Sequence, residues 1–180
     1  AAKLAEVAQD NLQLDFDDVF LACLEDPDRE VRLLTLDGLE GSESRTLVTP
    51  LIAHLWGDEE EAIRARAASV LGGFVLLAEL KELPRGDARR VEEALLAVVR
   101  EGREPPEVRR RAVEGLGPLS KESVRQVIRE AYASPETGMK AGALYAMGRN
   151  CDPGWLPLLI KECRSALPEL RYEAARAMGE

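Results

Sequence analysis

The chain has 180 residues, 46% of them hydrophobic but only 4% aromatic, so alanine and leucine must carry the core; that suits closely packed helices and disfavours a β-sandwich. No 18-residue apolar run is present to span a membrane. The net charge of −9 is uneven, with 4 basic and 16 acidic side chains in residues 1–62 (net −12) and 20 basic and 17 acidic in residues 63–180 (net +3), so the first third repels nucleic acid and anionic membrane and would attract a basic partner.

Residues 1–11 read as a helix with Leu4 and Val7 on its apolar side. Phe16 to Leu24 is predicted as the first helix of a pair, with Asp15 as N-cap and Asp17 and Asp18 at its positive end. Asp26-Pro27-Asp28 is a turn, Glu30 to Leu39 the second helix, and Gly41 its close. Ser42 to Trp56 reads as a helix in which Pro50 forces a kink or an irregular first turn. Asp58 opens the next, with Glu59, Glu60 and Glu61 at its positive end. That helix reaches Leu71, where Gly72-Gly73 would ordinarily end it. Phe74 to Leu83 nevertheless keeps a helical pattern, so either the helix continues or a short extra one follows before Pro84-Arg85-Gly86. Asp87 to Arg100, Glu107 to Leu116, Lys121 to Ala133 (capped by Ser120), Thr137 to Met147, Asp152-Pro153 to about Ser165, and a final helix from Pro168 complete the chain.

Five of these helices repeat one pattern. An aliphatic opener (Val31, Ile63, Val108, Met139, Leu170) is followed at once by Arg32, Arg64, Arg109, Lys140 or Arg171. Four positions after the opener stands a small residue: Thr35, Ala67, Ala112, Ala143 or Ala174. Eight positions after it stands a large one: Leu39, Leu71, Leu116, Met147 or Met178. The openers are 32, 45, 31 and 31 residues apart. A unit of that length is a helix pair that buries its apolar faces only by stacking on neighbours. The long interval places an insertion between Gly72 and Gly86. Stacking would align the basic residues in a ladder, for which Asp28, Glu60, Glu107 and Glu136 are candidate counter-charges. The expected fold is all-α, an α-solenoid of about five stacked antiparallel helix pairs with an insertion after the second.

The pattern Pro–x–Val–Arg–x–x–Ala–x–x–x–Leu–Gly resembles the second helix of HEAT repeats, especially the bacterial HEAT-like repeats. Glu107-Val108-Arg109-Arg110-Arg111-Ala112-Val113-Glu114-Gly115-Leu116-Gly117 is the best copy, and the resemblance covers roughly residues 15–180. Thr35 and the insertion in unit two depart from it. The resemblance implies a single HEAT-like repeat domain over residues 1–180, read as a piece of a longer array, with the second helices on a concave face. HEAT-like arrays also include bilin lyases and DNA-glycosylase relatives, but no pigment-pocket signature is visible. The basic cluster Arg103, Arg109, Arg110 and Arg111 is bracketed by Glu101, Glu104, Glu107 and Glu114.

Candidate chemistry is sparse. His54 is the only histidine, so a structural role is expected and no metal site. No G-x-G-x-x-G, Walker motif or nucleophile elbow occurs, so neither a cofactor nor catalysis is expected. Cys23, Cys151 and Cys163 lack zinc or redox spacing and read as buried free thiols in a reduced, cytoplasmic compartment. The expected role is a non-enzymatic scaffold for a protein or peptide. Its rivals are a structural spacer in a larger assembly and, with less support, a HEAT-like lyase or glycosylase. Second-helix positions two, three and six after the opener should face outward, and Leu33, Arg110, Tyr145 and Tyr172 are the candidate contact residues. Nucleic acid and membrane are not expected partners. Exposed ends of the array offer a route to self-association.

Overall fold

The computed structural model describes residues 17–179. The expected helix over residues 1–11, the Asp15 cap and the start at Phe16 lie outside the described residues. Among those described, ten α-helices and two short 3₁₀ turns form five pairs and no strand occurs. The pairs are α1 (Asp17–Leu24) with α2 (Arg29–Gly38), α3 (Val48–Gly57) with α4 (Glu61–Glu79), α5 (Arg85–Glu101) with α6 (Pro106–Leu116), α7 (Glu122–Tyr132) with α8 (Thr137–Asn150), and α9 (Leu156–Glu162) with α10 (Pro168–Ala177). The second helices α2, α4, α6, α8 and α10 each pack on the next in turn, while each first helix packs on its own partner. This is the stacked α-solenoid that the repeat spacing predicts.

Local chemistry sets the boundaries. Asp28 caps α2 by accepting from the Glu30 amide, and Pro106 and Pro168 open α6 and α10, where a missing N–H is harmless. Gly41 (φ +86°) and Gly102 (φ +63°) turn the chain after α2 and α5 in the left-handed region open to glycine. Pro50 lies in the first turn of α3, which is preceded by a 3₁₀ turn at Arg45–Leu47, the irregular start that proline implies. Ser120 is no cap: α7 begins at Glu122, with Lys121 at the N-cap position and no side-chain cap bond.

The segment after Gly72-Gly73 extends α4 and forms no separate helix; α4 runs unbroken for 19 residues. The reason for Gly72 is tertiary. A Cβ there would stand 2.8 Å from the Cα of Gly115, so the pair lets α4 and α6 approach backbone to backbone. Gly73 faces open space. Phe74 and Val75, in the extension, are fully buried and belong to the same continuous core.

The small residues four after each opener are all fully buried, Thr35 included. The Thr35 hydroxyl donates to the Val31 carbonyl at 2.7 Å, so its polar atom is satisfied within its own helix. The three thiols are free, but Cys151 is exposed and Cys23 and Cys163 are half-buried, against the expectation of buried thiols. Cys151 ends α8 in the left-handed conformation (φ 53°), which lifts it off the apolar stripe.

Candidate binding face

The basic residue after each opener is a connector. Arg32 donates to the Asp26 and Pro27 carbonyls, Arg64 to those of Asp58 and Glu59, Arg109 to that of Glu104, and Arg171 to those of Ser165 and Ala166. Each thus seals the turn before its own helix. Three of these arginines, and Lys140, reach a carboxylate of the following unit: Arg32–Asp58 (2.9 Å), Arg64–Glu104 (2.8 Å), Arg109–Glu136 (3.6 Å) and Lys140–Glu162 (3.2 Å). Of the counter-charges expected, Glu136 takes this role. Asp28 instead caps α2, Glu60 meets Arg29, and Glu107 binds Arg110 and Arg111.

The first rung also explains His54. Asp58 accepts from the Arg32 Nε and Nη2 atoms and the Glu60 amide, and lies 3.3 Å from His54 Nδ1. Burial pushes the Asp58 carboxyl up, and the Arg32 guanidinium, the Glu60 amide and the His54 ring outweigh it, holding it below the usual aspartate value. His54 is buried and completes this junction, the structural role expected of it. The last rung contains Tyr132, whose hydroxyl donates to Glu162 Oε1 at 2.5 Å. Burial first, and then the bond to the Glu162 carboxylate, push the phenol up to about 12.

The opposite edge of the second helices carries a hollow of about 400 Å³. Gly72, Gly73 and Gly115 pave part of it, and Arg66, Ser69, Arg110, Arg111, Glu114, Tyr145, Arg149, Glu173 and Arg176 line it. Most of these stand three or six positions after their openers, as the helical register requires. Arg110 binds Glu107 at 2.6 and 2.9 Å and Glu114 at 3.1 Å; Arg111 binds the same two glutamates at 3.0 and 2.9 Å. Hydrogen bonding from Arg110 holds the Glu107 carboxyl below its usual value despite partial burial. The Arg110 stem lies over α8, where a Cβ on Gly142 would stand 2.7 Å from its Cγ. The Arg176 guanidinium sits 4.7 Å from the centre of the Tyr145 ring. Glu173 is pushed up by burial and by the neighbouring Glu114 and Glu169 carboxylates, against the pull of Arg176 and Arg110; its Oε2 atom is buried without a hydrogen-bond partner.

Of the four candidate contact residues, Arg110 and Tyr145 line this hollow. Leu33 is half-buried against the core and Tyr172 is exposed, and neither is part of it. Position two after the opener is shared by Leu33, Ala65, Arg110, Ala141 and Tyr172; both alanines are buried, and of the five only Arg110 lines the hollow. Sequence reasoning missed Asn150. It is buried, donates to the Gly117 and Leu119 carbonyls at 3.0 Å each, and accepts from Trp155 Nε1 at 2.9 Å. The indole of a buried Trp needs an acceptor, which was the one available signal.

Among the described residues no group of three or more His, Cys, Asp or Glu side chains is placed to hold a metal ion, and no helix is long and apolar enough to cross a membrane. The family model described as HEAT repeats matches residues 92–179, which span most of α5 through α10. No curated protein sequence matches the chain. Among solved structures, the X-ray structure of the Escherichia coli protein YibA is similar, with a TM-score of 0.68 at 18% identity, over 99% of this chain. The chain spans 63% of the length of that protein. Repeat spacing, ladder, fold and family match agree: this is an all-helical repeat array with a HEAT-repeat-like fold, the family match itself falling on units three to five.

Proposed function

We propose that the chain is a non-enzymatic scaffold that holds a protein or peptide segment against the concave side formed by its second helices. The observation that carries this reading is the hollow that crosses α4, α6, α8 and α10. Glycines pave part of its floor, its rim mixes arginine with glutamate, and Tyr145 supplies a rigid aromatic wall. Arg and Tyr are the residue types that anchor interfaces. Arg110 and Tyr145 are the proposed anchors, with Leu33 and Tyr172 as outer contacts toward the two ends. The binding would rest on shape and distributed contacts, with no covalent step, in the cytoplasm.

The spacer reading has one observation in its favour. Arg110 and Arg111 are already paired with Glu107 and Glu114, so a partner must exchange those bonds for its own. Panning a random peptide library over the immobilised chain separates the two readings. A scaffold yields peptides whose affinity drops about tenfold or more in an Arg110→Glu, Tyr145→Ala double variant of unchanged circular dichroism. Failure to select any peptide, or equal affinity for the variant, supports the spacer.

A further inference from the structure

One ring nitrogen of His54 has a partner and the other has none. Nδ1 lies 3.3 Å from Asp58 Oδ2. Asp58 is a carboxylate held by Arg32, so Nδ1 carries the proton and donates it. In the neutral ring Nε2 is then a bare acceptor. The residue is only 9% exposed, and Nε2 is buried with no hydrogen-bond partner. Its nearest charged neighbour is Glu25 Oε1, 3.7 Å away and beyond hydrogen-bond length. Two acceptors thus face each other with no donor between them.

His54 lines an open cleft of about 770 Å³ between the α1–α2 turn and the α3–α4 turn. Six carboxylates line it too, those of Glu25, Asp26, Asp28, Asp58, Glu59 and Glu60, against the two guanidiniums of Arg29 and Arg32, an excess of four negative charges. Both guanidiniums are already engaged. Arg32 binds Asp58 and the Asp26 and Pro27 carbonyls, and Arg29 binds Glu60. Glu25 and Glu59 are exposed and have no lysine or arginine partner among the described residues. The repeat itself does not demand this arrangement. Counted back from the openers, Val99, Glu130 and Lys161 take the place of His54, and Gly57, Gly102, Ala133 and Arg164 that of Glu25. The cleft belongs to the first joint and shares no lining residue with the hollow.

We propose that this cleft receives the side chain of an arginine carried by a protein partner, with one guanidinium N–H donated to His54 Nε2 and others to the Glu25 and Glu59 carboxylates. A guanidinium offers five donors in a fixed plane and no acceptor, so it satisfies the ring nitrogen and the carboxylates together. A lysine ammonium is a compact, strongly hydrated charge that gives up its water less readily beside a buried atom. Anionic partners are repelled by the same carboxylates. The site stands apart from the hollow and does not rest on the role proposed for it.

The test uses three end-blocked tripeptides, Gly-Arg-Gly, Gly-Lys-Gly and the neutral Gly-citrulline-Gly. Because His54 is the only histidine, its ring gives one pair of ¹⁵N resonances to follow by NMR. The free chain at neutral pH should show Nε2 unprotonated. The arginine peptide should move that resonance saturably, the lysine peptide should bind about tenfold more weakly, and the citrulline peptide should leave it unmoved. A Glu25→Gln, Glu59→Gln double variant should melt as the parent does, since both side chains are exposed, and should bind the arginine peptide about tenfold more weakly. A protonated Nε2 in the free chain overturns the proposal. So does an arginine peptide that leaves the Nε2 resonance unmoved, a lysine or citrulline peptide that binds as well, or undiminished binding to the double variant.

Discussion

Gly72 and Gly73 are neighbours on one helix with opposite reasons for being glycine. A methyl group on Gly72 would collide with the Gly115 backbone, while one on Gly73 meets nothing within 4 Å. Gly72→Ala should therefore lower stability by about 1–3 kcal/mol through overpacking, and Gly73→Ala should raise it by about 0.5–1 kcal/mol; urea unfolding of the two variants checks both signs. Asp58 offers a second residue-level prediction. Its carboxyl is held below the ordinary aspartate value in the folded chain. Its contribution is then fully present above that ordinary value and is lost as the pH falls through the lower folded one. Asp58→Asn should weaken the chain at neutral pH by about 2–4 kcal/mol, since the half-buried Arg32 and the buried His54 are left without this anion. The same variant should show a shallower decline of unfolding free energy on acidification than the parent.

At the scale of the element, α4 is the informative helix. Its extension beyond Leu71 is part of the core, so Phe74→Ala should cost about 3–5 kcal/mol, measured by chemical denaturation. A separate, loosely docked helix would lose far less. The sequence carries the existence of all ten helices, the burial of the small residues, and the ladder. It leaves the continuity of α4 undecided, because the glycine pair looks like a stop until Gly115 on another helix is placed against it. The ladder partners escape for a different reason. Asp58 ends a first helix, Glu104 lies in a turn, Glu136 precedes a second helix and Glu162 closes α9. A long basic side chain reaches any of these, so no fixed spacing marks them. In the hollow, the helical register identifies Arg110 and Tyr145 but cannot tell that position two lies outside it in the other units. Apolar periodicity does not reveal the exposure of Cys151, because a left-handed cap is a property of the chain path.

Across the whole molecule, each unit draws its stability from its neighbours, so protection should follow position in the stack. Amide exchange followed by mass spectrometry should be slowest in α6, which packs between α4 and α8, and faster in α10, which has a packed second helix on one side only. Equal exchange in the two would mean that the array opens only as one body. The ladder has a further consequence. Every rung is donated by one unit and accepted by the one after it, never the reverse. The rungs therefore all point the same way, although Arg66 with Asp37 and Glu40, and Lys121 with Glu92, cross two of the joints in the opposite sense. A gene that gained or lost a whole repeat by recombination would close the ladder again at the seam, whereas a gain or loss of any other length would strand an arginine beside a misaligned carbonyl turn. Array length is the variable that such a joint leaves free to evolve, while handedness and register stay fixed.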